Sequence, residues 1–461
     1  MTNAHVDAAL QYAKEHGETF RAELRDLIRI PCISTLPEHN EDLRRAADWV
    51  ANSMKAAGLE NVAVMETGGH PVVYADWLHA EGAPTILVYG HYDVQPADKE
   101  EDGWTYDPFE PIEVDGKIYA RGSSDDKGQM YAHIKAAEAF LKTGALPVNL
   151  KFMIEGEEER GSKNLSAFVK ANTELLKADA CVISDTGMDS MDEPVICYSV
   201  RGLTYMQLDI QGPKEDLHSG GFGGAVHNPA LALAQMISKF HNADNSVAVP
   251  GFYDDVLPLS DEERAEIKKT EMTEADLKNL TGITSPWGEE GYSITERIGG
   301  RPTLEINGLL SGFTGVGGKT VLPAKAMAKI SCRLVGNQDP IKIYELIKAY
   351  VAEITPPGIH AELQLLDAAE AVVIDYSNEY IQAAVRAYAK GWGGKPAVFK
   401  RGGGTLPVVA DLRKVLNLPV VLMGFGLPTD GAHGPDEHYH IERFHKGIDT
   451  TINFYNEVTQ K

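Results

Sequence analysis

Short apolar runs alternate, over the first 200 residues, with longer stretches whose apolar positions recur every three or four. The runs near 61–65, 72–76, 85–90, 148–154 and 180–184 have strand length. The stretches near 5–29, 41–57, 128–143 and 162–176 carry a helical period. That alternation predicts an α/β fold, a mixed, mostly parallel sheet covered by helices. Residues 203–211 (LTYMQLDIQ) change period: apolar and polar alternate, as in a strand with one wet face. A helix near 228–241, strands near 303–308 and 325–334, a helix at 338–354 and a strand at 359–366 follow. Their order predicts an inserted α+β unit, a four-stranded antiparallel sheet with two helices. Within it, 250–300 reads as a further insertion, an acidic helix (SDEERAEIKKTEMTEADLKNL) among Gly/Pro-rich loops. The α/β pattern resumes near 372, with a helix at 378–390, a strand at 418–423 and a helix at 441–459. Three segments result, 1–201, 202–371 and 372–461, and the first and last are expected to form one domain.

Composition narrows the function. The chain has 461 residues, 43% of them hydrophobic and 24% charged, enough for two or three domains with a buried core. Its 43 lysines and arginines stand against 67 acids, a net charge of −24. That argues against a nucleic-acid backbone and against an anionic membrane as partner. The N-terminal stretch lacks the basic-then-apolar order of a signal peptide, and no apolar run reaches about 18 residues. The expected compartment is the cytoplasm. Cys32, Cys181, Cys197 and Cys332 are scattered without a C-x-x-C pair, so they read as reduced buried thiols.

Five clusters carry candidate chemistry, each beside an apolar strand or a helix start. In GHYDVQP, His91 and Asp93 are two apart in extended chain and share a face. One can bind a metal while the other fixes the imidazole tautomer. RGSSDDKG (121–128) places Asp125 and Asp126 near a helix N-terminus, where an acidic cap is the plainer reading. Glu157, Glu158 and Glu159 crowd like charges after the strand KFMIEG, which is costly unless cations or protons intervene. Asp185 closes the strand 180–184. His433, in the Gly-rich loop DGAHGPDEHYH, is preferred over His438 and His440 as a ligand. Histidines and carboxylates together suit Zn²⁺, Mn²⁺ or Co²⁺ better than a thiolate site would. Two such ions need a bridging carboxylate, for which Asp125 is the candidate, and a spare glutamate to take a proton from water.

These clusters, in this order, resemble the co-catalytic metallopeptidase and deacylase family. Its members include carnosinase, cytosolic non-specific dipeptidase, succinyl-diaminopimelate desuccinylase, acetylornithine deacetylase and glutamate carboxypeptidase. The likeness covers nearly the whole chain. EGEEERGS, DLHSG (216–220), TVLP (320–323) and CRLV (332–335) bring it nearest the carnosinase and non-specific dipeptidase branch.

The resemblance implies a zinc-exopeptidase-like catalytic domain, with 202–371 as a lid and dimerisation domain. It implies His91, Asp125 and Asp185 on one ion, and Asp125, Glu159 and His433 on the other. Glu158 would be the general base and Asp93 would orient His91. A non-proline cis peptide would follow Asp125. In a homodimer His218 would reach the neighbouring subunit's site and polarise the scissile carbonyl. Arg333 would bind the substrate carboxylate, and Thr405, where near relatives commonly carry Ser, would lie in the substrate-binding loop RGGGTLP. The expected activity is hydrolysis of dipeptides or short peptides with a free C-terminal carboxylate. An N-acyl-amino-acid deacylase and a non-catalytic peptide-binding relative are the alternatives.

Overall fold

The computed structural model describes residues 3–460 and divides into two compact units. The first takes the chain up to Tyr198, then Ile374–Lys400, then the chain from Pro407 on. The second takes Ser199–Val373 and Arg401–Leu406. The return of 401–406 to the second unit departs from the sequence reading, which left all of 372–461 with the first. Its cause is local: the Arg201 N–H and Nε donate to the carbonyls of Gly404 and Gly403 at 2.8 and 2.9 Å.

The sheet of the first unit begins with strands Glu60–Met65, Val72–Trp77, Asn149–Glu155 and Thr85–His91. It continues through Ala180–Ile183, Val420–Leu422 and Val195–Val200. Its parallel part is the central four strands, from Asn149–Glu155 to Val420–Leu422; the flanks are antiparallel. Thr85–His91 and Asn149–Glu155 are buried along almost their whole length, hence their unbroken apolar runs. Helix Lys127–Thr143 is buried from Lys127 to Phe140. It packs against Ile441–Glu457, itself buried along most of its length.

Two devices fix the start of Lys127–Thr143, where the second acidic cluster lies. The buried Lys127 ammonium donates to the carbonyls of Leu27 and Ile30 at 3.2 and 2.9 Å, at and just beyond the end of helix Gly17–Ile28. Gly128 lets the chain approach itself, since a Cβ there would lie 2.1 Å from the Ser123 carbonyl oxygen. A small sheet, Ile112–Val114, Lys117–Tyr119 and His438–His440, ties the chain after 430 to the chain before 121. Sequence periodicity missed these three-residue strands, as it missed Val195–Val200 and helix Pro407–Val415.

The second unit is built on strands Thr303–Ser311, Lys325–Leu334, Gly202–Gln211 and His360–Ala369, antiparallel in that order. Burial alternates at every residue of Gly202–Gln211, as its sequence requires. Helices Pro229–Ile237 and Pro340–Ile354 cover the inner face through Leu233, Met236, Ile343 and Ile347. The acidic segment expected as one helix is two, Asp261–Ile267 and Glu274–Thr281. Thr273 and Asp276 form a capping box that starts a new helix where the first would have to continue. All four cysteines are buried and unpaired. Among the described residues no helix is long and apolar enough to cross a membrane.

Candidate metal centre

The parallel strands of the first unit deliver their chemistry at their carboxyl ends, where open α/β sheets bind ligands. His91 is the last residue of Thr85–His91. Glu158 and Glu159 form a helical turn just after Asn149–Glu155, and Asp185 follows Ala180–Ile183. His433 comes from the loop after Val420–Leu422 and holds a left-handed φ of 63°. Asp125 precedes Lys127–Thr143, and its peptide bond to Asp126 is cis.

These residues converge on two overlapping groups, His91–Asp125–Asp185 and Asp125–Glu159–His433. Within each group the potential ligand atoms all lie within 4.8 Å of one another. His91 Nε2 lies 3.1 Å from Asp125 Oδ1 and 3.8 Å from Asp185 Oδ2. His433 Nε2 lies 3.0 Å from Asp125 Oδ2 and 3.2 Å from Glu159 Oε2. Asp125 thus turns one oxygen to each imidazole. Asp126, its neighbour in sequence, faces elsewhere and accepts the His91 backbone N–H at 3.2 Å. Glu157 of the acid triplet is tied to the Asn164 amide at 2.8 Å. The side chain of His433 is 56% exposed while that of Glu159 is 3% exposed, so the group opens to solvent on the His433 side.

Supporting contacts set these orientations. His91 Nδ1 lies 3.0 Å from the Asp93 carbonyl oxygen and 3.4 Å from its carboxylate. That leaves Nε2 as the lone-pair nitrogen. The Asp93 carboxylate also accepts the backbone N–H groups of Glu158 and Glu159 at 3.2 and 3.1 Å. One side chain therefore positions both the first histidine and the acidic turn. The Gln95 amide donates to Glu159 Oε2 at 2.8 Å.

Sequence reasoning assigned no role to Glu437, although it lies inside the fifth cluster. Its fully buried carboxylate accepts from Arg121 Nη1 at 2.7 Å and from the N–H groups of Gly122, Ser124 and Asp125 at 3.1, 3.0 and 3.1 Å. No local signal marks it, because its partners lie more than 300 residues away. Glu437→Ala would leave a buried guanidinium and three amides unpaired. A stability loss of about 3–5 kcal/mol is expected, read as a lower urea midpoint; an unchanged midpoint would refute this role.

Electrostatics show what the group wants. Burial, then the charge of Asp125, pushes Asp185 up to about 7. Burial raises Glu158 well above the carboxylate range; His91 opposes this, while Asp185, Glu159 and Asp125 add to it. Asp125 is held below that range, its burial outweighed by the two imidazoles. Contacts with Asp125 and Glu159 raise His433 to about 10. Burial opposes the charging of His91, yet Asp125 and Asp93 raise it well above its ordinary value. A field that draws protons onto imidazole nitrogens draws cations to the same points. The donor set, two imidazoles and three carboxylates with no thiolate, fits divalent ions such as Zn²⁺, Mn²⁺ or Co²⁺.

Asp430, His438 and His440 form a third convergent group, but both nitrogens of His438 are engaged. Nδ1 faces the Asp436 carbonyl at 3.0 Å and Nε2 faces the Lys117 ammonium at 3.1 Å. The remaining sequence candidates belong to the second unit. Arg333 Nη1 donates to the Thr405 hydroxyl at 2.7 Å. His218 is exposed, and its Nδ1 accepts the Gly220 N–H at 3.0 Å, which leaves the ring proton on Nε2.

The family model described as Peptidase family M20/M25/M40 matches residues 87–457. The Cys-Gly metallodipeptidase DUG1 of Saccharomyces cerevisiae is 31% identical over 462 residues, covering 95% of both chains. The Beta-Ala-His dipeptidase of Homo sapiens is 29% identical over 486 residues, covering 99% of this chain and 93% of its own. The solved structure of Sso-CP2, an M20 family metallo-carboxypeptidase from Sulfolobus solfataricus, matches with a TM-score of 0.87 at 33% identity. That match covers 95% of this chain and 99% of the other.

Proposed function

The chain belongs to peptidase family M20/M25/M40, and from that membership we propose a metallodipeptidase that cleaves dipeptides or short peptides with a free C-terminal carboxylate. The observation that carries this reading is the sharing of Asp125 between two histidine–carboxylate groups. In this reading His91, Asp125 and Asp185 would hold one ion, and Asp125, Glu159 and His433 would hold a second, with Zn²⁺ preferred over Mn²⁺ or Co²⁺. When bound, such a pair supplies Lewis acidity toward water and toward the scissile carbonyl.

Glu158 takes the proton of the attacking water and returns it to the leaving amine. Its burial among carboxylates, which favours the protonated form, suits that second step. Asp93 holds His91 and the turn carrying Glu158. His218 donates from Nε2 to the carbonyl oxygen as negative charge develops there; it acts across a homodimer formed through the second unit. Arg333 anchors the C-terminal carboxylate through its planar fork, and Thr405 holds Arg333 in place. The proposed compartment is the cytoplasm.

The test is a panel of dipeptides, N-acetyl-amino acids and N-succinyl-amino acids. It is run on enzyme stripped with a chelator and reconstituted with Zn²⁺, Mn²⁺ or Co²⁺. Dipeptide cleavage is expected to vanish on stripping and to return with metal. Cleavage restricted to the N-acyl substrates would transfer the chain to the deacylases.

A further inference from the structure

The second unit contains a cavity of about 400 Å³, a volume suited to a small ligand. Four arginines line it, Arg201, Arg297, Arg301 and Arg333, against two acids, Glu289 and Glu305. This is a cationic hollow in a chain whose net charge is −24. Arg301 is already neutralised: its Nε and Nη2 donate to Glu289 at 2.8 and 2.7 Å, and its guanidinium lies 4.3 Å from the centre of the Tyr292 ring.

Arg201 and Arg333 are not neutralised in this way. Arg201 Nε donates to the Gly403 carbonyl at 2.9 Å, while its Nη1 is buried with no hydrogen-bond partner. Arg333 spends one Nη1 proton on the neutral Thr405 hydroxyl. Strand register sets Arg333 opposite Leu203, two residues along from Arg201, so the two arginines fall on neighbouring positions of one face. Burial and the charge of Arg333 push Arg201 down to about 10, against the opposing charge of Glu305 in the same cavity. Two like charges held together out of water are costly unless an anion joins them.

We propose that Arg201, beside Arg333, forms a two-guanidinium subsite selecting substrates whose C-terminal residue carries a second carboxylate, aspartate or glutamate. The proposal rests on the reading above that Arg333 takes the C-terminal carboxylate. One guanidinium then serves the main-chain carboxylate and the other the side chain, each able to bind in a fork-to-fork geometry. Arg297, whose Nε is also buried without a partner, adds positive potential to the same cavity.

The test compares isosteric pairs on the metal-reconstituted full-length enzyme: Ala-Glu against Ala-Gln, and Ala-Asp against Ala-Asn. The acidic member of each pair is expected to have a kcat/KM about ten-fold higher. Arg201→Gln should bring that ratio close to one, and Arg201→Lys should retain part of it. Equal rates for wild-type enzyme on both members overturn the proposal, and so does an acid preference that survives Arg201→Gln. Calorimetric titration of wild-type enzyme with free L-glutamate and L-glutamine gives a readout independent of the variants. Tighter glutamate binding supports the subsite, and equal binding refutes it. If no dipeptide is cleaved, the dipeptidase reading falls, and the titration still decides the subsite.

Discussion

Glu158→Ala is expected to lower kcat by about a thousand-fold or more while the enzyme keeps its full complement of metal. General base catalysis contributes about 10²–10⁴ in rate, and Glu158 is the carboxylate of the acidic turn left outside both metal-binding groups. Its backbone N–H is held by Asp93 at 3.2 Å, so replacing the side chain leaves the turn in place. Glu158→Gln sharpens the test, because the amide matches the shape and cannot accept the proton. Single-turnover kinetics and elemental analysis of the same preparation separate proton transfer from metal loss. Turnover near wild type in either variant removes Glu158 from the role.

Asp125→Ala is expected to strip the whole centre. The two Asp125 oxygens face different imidazoles, at 3.1 Å for His91 and 3.0 Å for His433, so its loss takes a ligand from both groups at once. Asp185→Ala touches one group alone. The expected order of metal retention is therefore wild type, then Asp185→Ala, then Asp125→Ala, with turnover by the last at background. Removing ligand support one shell further out already costs roughly 10–100-fold in metal affinity, and removing the shared ligand should cost far more. Equal metal retention in the two variants would break the bridging assignment. Both variants should stay folded, since the local frame is carried by Glu437 and Lys127.

The parallel strands were legible because they are buried on both faces and therefore read as unbroken apolar runs. His91 ends one such run, and the acidic triplet and Asp185 follow two others, so the clusters could be located from the pattern; which acid is ligand and which is base rests on the family motif alone. The choice between Asp125 and Asp126 was not legible from spacing. Adjacent residues differ there by a backbone turn that no periodicity encodes, and the family motif had to separate them. Glu437, Asp430 and Gln95 were invisible as supporting groups. Ser124 meets Asp430 at 2.9 Å across 306 positions, and only the folded chain brings such pairs together. The acidic stretch at 260–280 misled because its helical composition is continuous, while a capping box inside it restarts the helix.

The interruption of the first unit sets an order of events in the living chain. Strand Val420–Leu422 lies between Ala180–Ile183 and Val195–Val200, so the central sheet closes only after the second unit has been synthesised. His433 and Glu437 arrive with that closing segment. A ribosome adding about 5–20 residues per second needs roughly 10–50 s to travel from Asp185 to His433. During that time His91, Asp185 and the acidic turn exist without the histidine and the buried glutamate that complete their surroundings. The group Asp125–Glu159–His433 therefore cannot form on a stalled or truncated product, which carries its acids without their histidine.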